Sequence, residues 1–265
     1  MRSVRAATAA AGARTISAAA RGAKPARRDA LESIDVYVAR PVTCPYLPER
    51  QERKLLVPLA DSAVYDELIQ HGFRRSGRWA YRPQCVGCVA CVPVRLDAAG
   101  FAPSRSQRRA RNGFAALTRS VAPARATPEL YELFARYLGS RHGDGAMAGM
   151  GEAEFAEMLE GTSVHTELLL YRDGAGALVA AMLVDVVADG VSLVYSFFAP
   201  ERGGSPGVAM IVDAVAVARE RRLPYVYLGY WVHGCRKMEY KADFSPLQVC
   251  GASGWQPFEP PLPRG

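Results

Sequence analysis

The first constraints come from what the chain lacks. No apolar run in its 265 residues reaches the roughly 18 that a membrane-spanning helix needs, so the sequence offers no candidate span. Six cysteines, three of them at tight C-x-x-C spacing, are not a disulfide framework for a chain of this length. They point instead to a reducing compartment, the cytoplasm. Residues 1–28 contain no acid at all, but seven basic residues and eleven alanines, and no compact leucine-rich core. That composition argues against a secretory signal, and residues 1–34 are expected to form a disordered Ala/Arg-rich tail outside the fold. Removing those seven charges from the 33 basic residues leaves 26 against 26 acidic ones, so the net charge of +7 belongs to the tail. Overall charge therefore says nothing about nucleic acid. At 49% hydrophobic and 22% charged residues, the chain has the composition of a globular protein with a sizeable core.

What is present reads as alternating strands and helices, an α/β (α+β) chain. A helix is predicted over 61–70, capped by Asp61 or Ser62 and followed by Gly72. Short strands at 73–75 and 79–82 flank the turn dipeptide Ser76-Gly77, as in a hairpin. A cysteine-rich loop and a strand at 92–96 follow. Ser104 and Gln107 form a capping-box signature for a helix reaching about Leu117, and Thr127-Pro128 opens another. In the second half, apolar strands at 166–171, 178–187 and 191–198 precede a Gly/Pro loop (ERGGSPG, 201–207). An apolar helix at 208–221 and a buried strand at 225–230 complete the series. Three antiparallel strands, then glycine loop, helix and strand, is the order of a GNAT-like N-acyltransferase core. In such a core the loop offers backbone N–H groups to a pyrophosphate, although Ser205-Pro206 interrupts the usual glycine pattern. The expected division is a Cys- and Arg-rich N-terminal domain at 35–125 and a GNAT-like domain at 126–265.

Three constellations carry chemistry. Cys85, Cys88 and Cys91 lie at C-x-x-C-x-x-C spacing, which suits an iron–sulfur or zinc centre with Cys44 as fourth ligand; otherwise the thiols simply pack. Residues 72–125 hold eleven arginines, no lysine and a single acid, Asp97. Guanidinium forks bind phosphate bidentately, so this is a local nucleic-acid footprint, the alternative being a solvated charged face. The segment LGYWVHGCRKMEYKADFSP (228–246) sets Tyr230, Trp231, Lys237, Tyr240 and Lys241 after the last buried strand, where an α/β sheet places its crevice. Asp185 lies in an otherwise apolar strand, and is either paired to a cation or functional.

The segments TCPYLPER, GFRRSGRWAYRPQCVGCVACVPVR, FAPSRSQRR and LGYWVHGCRKMEYKADFSP, in this order and spacing, resemble the arginyl-tRNA–protein transferase superfamily, most closely its bacterial aspartate/glutamate leucyltransferase branch. The resemblance covers about residues 35–258, ARYLGSRHGDGAM (135–147) included. Pro206 and Gln248 depart from the family pattern. It implies an enzyme that moves leucine, or arginine, from charged tRNA to the N-terminal amine of proteins beginning with Asp or Glu, marking them for N-end-rule degradation. No cofactor is implied for the transfer itself, while the cysteine motif of eukaryotic relatives is linked to an iron–sulfur cluster. On this reading Arg82, Arg105, Arg108, Arg109 and Trp231 contact tRNA, and Arg74, Arg75 or Arg95 binds the acceptor's acidic side chain. Tyr195, Tyr230 or Lys237 would donate to the oxyanion, and Asp185 would orient or deprotonate the acceptor amine. Lys237 and Lys241 would balance charge at the 3′ adenosine, with Trp231 or Tyr240 stacking on its base. The competing classes are an acetyltransferase using acetyl-CoA and a non-catalytic, metal-bound RNA-binding module.

Overall fold

The computed structural model describes residues 34–141, 147 and 149–259; the expected tail lies outside them, apart from residue 34. Local sequence rules account for most elements. Helix α1 (Ser62–Gln70) starts where the Asp61 carboxylate accepts the Val64 N–H at 3.0 Å, and it stops at Gly72, whose φ of 78° favours glycine. Helix α2 (Arg105–Asn112) carries the full capping box, with Ser104 and Gln107 bonded reciprocally, but ends at Gly113, short of the Leu117 expected. Helices α3 (Pro128–Arg141) and α5 (Pro206–Glu220) both begin on proline. Helix α4 (Glu152–Glu160) was not expected; it opens on Gly151, whose N–H is accepted by Glu154 reaching back. Helix α6 (Arg236–Glu239) is one turn, followed by a 3-10 turn at Tyr240–Asp243.

The strands form three sheets. In chain order they are β1 (Tyr37–Val38), β2 (Val42–Thr43), β3 (Gln51–Glu52), β4 (Lys54–Pro58), β5 (Arg74–Ser76), β6 (Trp79–Pro83) and β7 (Cys91–Asp97). The second half adds β8 (Thr118–Pro123), β9 (Thr166–Arg172), β10 (Leu178–Val187), β11 (Gly190–Phe198), β12 (Tyr225–Val232), β13 (Leu247–Gly251) and β14 (Gly254–Pro257). The large sheet has the order β14-β13-β7-β12-β11-β10-β9-β8; a small one has β1-β4-β6-β5, and β2 pairs with β3. Antiparallel β9, β10 and β11, then α5 crossing over to a parallel β12, complete the GNAT-like order. The expected boundary at 125 is no break in this sheet, because β7 pairs with both β12 and β13.

Side chains alternate across the large sheet as a pleated strand requires. Ala180, Met182 and Val184 join Leu169, Tyr171 and the apolar stripe of α5 in one core, with α2 packed on α5. Ala181, Leu183 and Leu168 face the other way, under Phe134 of α3 and Phe155 of α4. Val187 and Tyr227 on that second face are covered by α1 and the small sheet, through Tyr65, Ile69 and Val57.

Candidate active site at a split between two strands

Two irregularities in the large sheet build the site. Strands β11 and β12 pair only at Gly190–Tyr225, Val191–Val226 and Ser192–Tyr227, then diverge. On the other edge of β11 the register slips, so that Leu183 faces Tyr195 while Val184 faces Leu193. This β-bulge turns two consecutive side chains, Val194 and Tyr195, onto one face, where both are partly buried against the α3–α4 core. Above them lies a cavity of about 780 Å³, walled by Lys54 and Leu56 of β4 and by Arg78, Trp79 and Tyr81 of the β5–β6 hairpin. Met147, Met150 and Met158 close it on the α4 side, with Glu154 and Glu157 at its border.

Arg74 occupies the root of the split. Its guanidinium donates to the Ser192 hydroxyl (3.1 Å), to the Tyr227 carbonyl (3.5 Å) and to the Leu193 carbonyl. Parting strands would otherwise strand those carbonyls in the interior. Gly229, at φ 85°, packs flat against it, since a Cβ there would lie 3.4 Å from the guanidinium carbon. Arg75, next along the strand, points to Asp185. Nε lies 2.9 Å from both carboxylate oxygens and Nη2 lies 2.8 Å from one, with both side chains fully buried, while Thr166 adds a hydroxyl donor at 2.8 Å.

These contacts correct several expectations. The carboxylate of Asp185 faces the N-terminal hairpin and is spent on Arg75 and Thr166, so it cannot orient a substrate amine; its cation is an arginine and not one of the lysines after β12. Arg74 and Arg75 hold the hairpin to the sheet through these internal contacts, Arg75 also bordering the cavity. Arg95 is likewise committed, donating to Gln248 at 2.8 Å and to the Tyr227 hydroxyl at 3.1 Å, and stacked 3.5 Å over the Tyr225 ring. Gln248 thus has a structural task. The acceptor-binding role expected of all three arginines meets the same obstacle: each is held by internal partners.

The segment after β12 is also rearranged. A register slip between Tyr227 and Gly229 resets the alternation, sending Trp231 into the α5 core against Phe258 and Tyr230 toward the hairpin. Trp231 is therefore buried and cannot stack on a tRNA base. The Tyr230 hydroxyl is buried and donates to the carbonyls of Gly72 (3.0 Å) and Tyr81 (3.1 Å), which removes it as an oxyanion donor. Lys241 is interior too: its amine donates to the Tyr230 carbonyl at 2.7 Å, and burial, with the Arg74 guanidinium nearby, pulls its pKa down to about 7. It therefore cannot balance charge at a tRNA terminus. Lys237 and Tyr240 are exposed on α6 and the following turn, and neither borders the cavity. Of the six expected catalytic residues, only Tyr195 lines it. Burial raises the Tyr195 phenol well above its ordinary pKa, keeping it protonated as a donor.

Arg105, Arg108 and Arg109 stand exposed on α2, together with Arg111. Because α2 packs on α5, this arginine face lies on the opposite side of the sheet from the cavity. Arg82 is half-buried beside a second cavity of about 610 Å³, bordered by Cys85, Cys88, Cys91 and Cys250. The expected four thiols do gather: burial and the nearby Cys44, Cys85 and Cys88 push Cys91 up to about 12, and the Leu47 and Arg53 N–H groups donate to the sulfurs of Cys44 and Cys85 at 3.4 Å. Yet among the described residues no three His, Cys, Asp or Glu side chains stand close enough to hold a metal ion. In this arrangement they do not fit a cluster or zinc.

Residues 42–109 match the model of the arginine-tRNA-protein transferase N terminus, and residues 129–251 that of its C terminus. The chain belongs to this family. It is 48% identical to the aspartate/glutamate leucyltransferase of Ruegeria pomeroyi, over 85% of this chain and 84% of that protein. It is 44% identical to that of Xanthobacter autotrophicus, over 84% and 95%. The transferase is also similar to the solved L-PGS of Bacillus licheniformis, at 14% identity and TM-score 0.44 over 66% of this chain and 51% of that one, too remote to inform the site. Among the described residues, no helix is long and apolar enough to cross a membrane.

Sequence reasoning missed the cavity's own lining. Lys54, Arg78, Val194 and the three methionines carry no motif; the acid-free stretch around Arg78 and the closeness of Met147, Met150 and Met158 in the chain were the available signals.

Proposed function

We propose that this transferase moves leucine from leucyl-tRNA to the N-terminal amine of proteins beginning with Asp or Glu, in the cytoplasm, and so marks them for degradation. The observation that carries this is the cavity over the β11 bulge, which combines an apolar wall, a phenol donor and cations that are not all spent internally. The family name of the relatives supplies leucine and the acidic acceptors. Six free cysteines suit a reducing cytoplasm.

The aminoacyl ester is already activated, so the protein's task is positioning. The acceptor amine, with a pKa near 8, is partly neutral at cellular pH. It attacks the ester carbonyl; the C–N bond forms, the C–O bond to the 3′ ribose breaks, and the ammonium proton is relayed through water to the departing 3′ oxygen, so that tRNA leaves as its free hydroxyl. Tyr195 donates to the developing oxyanion. The acceptor's carboxylate meets Arg78, which has no carboxylate partner among the described residues, and Lys54, which Glu52 shares at 2.8 Å. The exposed arginines of α2 are offered to tRNA phosphates.

The acceptor assignment is checked with Arg78→Glu and Lys54→Glu together. The KM for a peptide starting with Glu should rise by at least tenfold while affinity for leucyl-tRNA stays unchanged. An unaltered acceptor KM would remove these two residues from the site.

A further inference from the structure

Three of the chain's seven methionines, Met147, Met150 and Met158, stand on one wall of the cavity. They arise within twelve residues of one another and are partly buried against the core formed by Phe134, Phe155 and Phe197. Val194, one of the two side chains turned out by the β11 bulge, packs against the same core. A methionine wall is apolar, polarizable and adaptable, a surface suited to gripping a flexible aliphatic group. The cations of the cavity come from β4 and the hairpin, and the methionines from the segment leading into α4 and from α4 itself. The cavity therefore has a cationic side and a methionine side edged by two carboxylates, with the bulge and Tyr195 as their shared floor.

Resting on the function proposed above, we infer that Met147, Met150 and Met158, with Val194, form the pocket for the side chain of the amino acid being transferred, and so set the donor preference for an aliphatic residue. The side chain of an aminoacyl ester is joined to its reacting carbonyl through a single carbon. A carbonyl held at the bulge beside Tyr195 must therefore place its side chain on a wall adjoining Val194, and the wall there is methionine. Glu154 and Glu157 border the same side, and would suit the guanidinium of an arginyl donor instead. The Glu154 carboxylate, however, is engaged in capping its own helix at Gly151 (3.1 Å), and that of Glu157 folds back over Gly161, where it would meet a Cβ. An aliphatic occupant uses the wall's apolar surface, whereas a cationic one would leave it idle.

The test compares leucyl-, phenylalanyl-, alanyl- and arginyl-tRNA as donors to a peptide beginning with Glu, in single turnover. Met150→Ala with Met158→Ala should lower the rate with leucyl-tRNA by roughly 10- to 100-fold, the range that lost methylene contacts in an apolar pocket span. The same variant should shift the leucyl-to-phenylalanyl preference at least tenfold toward the larger side chain. Met150→Leu with Met158→Leu, which retains the apolar volume should the alanines unfold the protein, should keep leucyl preference within threefold of wild type. The acceptor KM should stay constant in all variants. A donor ranking unchanged by the alanine pair would overturn the inference, as would wild type preferring arginyl-tRNA and losing that preference in Glu154→Gln with Glu157→Gln. If wild type transfers from none of the four tRNAs, the function proposed above falls first, and the inference with it.

Discussion

Replacing Asp185 by asparagine separates a structural carboxylate from a catalytic one. The structure buries Asp185 and Arg75 completely, 110 residues apart in sequence, with contacts of 2.8–2.9 Å. Asparagine preserves shape and one acceptor oxygen but leaves the guanidinium without its counter-charge. Removing one member of a buried pair costs about 3–5 kcal/mol, because the remaining charge stays desolvated. At about 2–4 °C per kcal/mol for a chain of this size, the melting temperature should fall by roughly 6–20 °C. Where Asp185→Asn remains folded at low temperature, transfer per folded molecule should stay within about threefold of wild type, as expected of a carboxylate that meets no substrate. Arg75→Met combined with Asp185→Leu should recover most of the lost stability, since apolar replacements of similar volume often match a buried pair. Thermal melts and a transfer assay below the transition check all three variants. A stable Asp185→Asn variant with transfer abolished would refute the reasoning and return the carboxylate to the chemistry.

Other expectations follow from the same contacts. Arg74→Lys cannot reach Ser192, Leu193 and Tyr227 together, so it should cost about 2–4 kcal/mol by urea titration, from buried carbonyls left unpaired; an unchanged midpoint would contradict its place at the split. Lys241, with a native pKa of about 7 against an ordinary 10.5, binds fewer protons folded than unfolded between those values. Stability should therefore rise with pH across that window by up to about 1.4 kcal/mol per unit more in wild type than in Lys241→Met, and parallel pH profiles would rule the shift out. Alanine at Arg105, Arg108 and Arg109 should flatten the salt dependence of tRNA binding by about one log–log unit per lost phosphate contact, measured by titration at several salt concentrations; an unchanged slope would move the tRNA elsewhere.

Elements set by neighbours in sequence were legible. The Asp61 cap, the hairpin about Ser76-Gly77 and the Ser104–Gln107 box each rest on contacts within a few residues, and all are present. Helix α4 escaped because its cap is a glycine and its stabilising contact comes from Glu154 behind it. The pairing of β7 with β12 spans more than a hundred residues, and period-two patterning marks a strand without naming its partner. The site was less legible still. Its geometry depends on two one-residue slips, at Val194 and near Gly229, and a slip of one residue reverses which face each later side chain occupies. Trp231 was misplaced for that reason. The arginines of 72–125 look equivalent in sequence; distant partners decide that Arg74, Arg75 and Arg95 are interior struts, while Arg78, Arg105, Arg108 and Arg109 stay exposed.

The most direct test of the whole account is transfer by the purified wild-type protein. Labelled leucyl-tRNA is offered with peptides that differ only in an N-terminal Asp, Glu, Asn or Arg, with labelled acetyl-CoA as a parallel donor. The expected result is label on the α-amine of the Asp and Glu peptides only, from leucyl-tRNA only. Acetylation of the peptides, or equal labelling whatever their first residue, would contradict it.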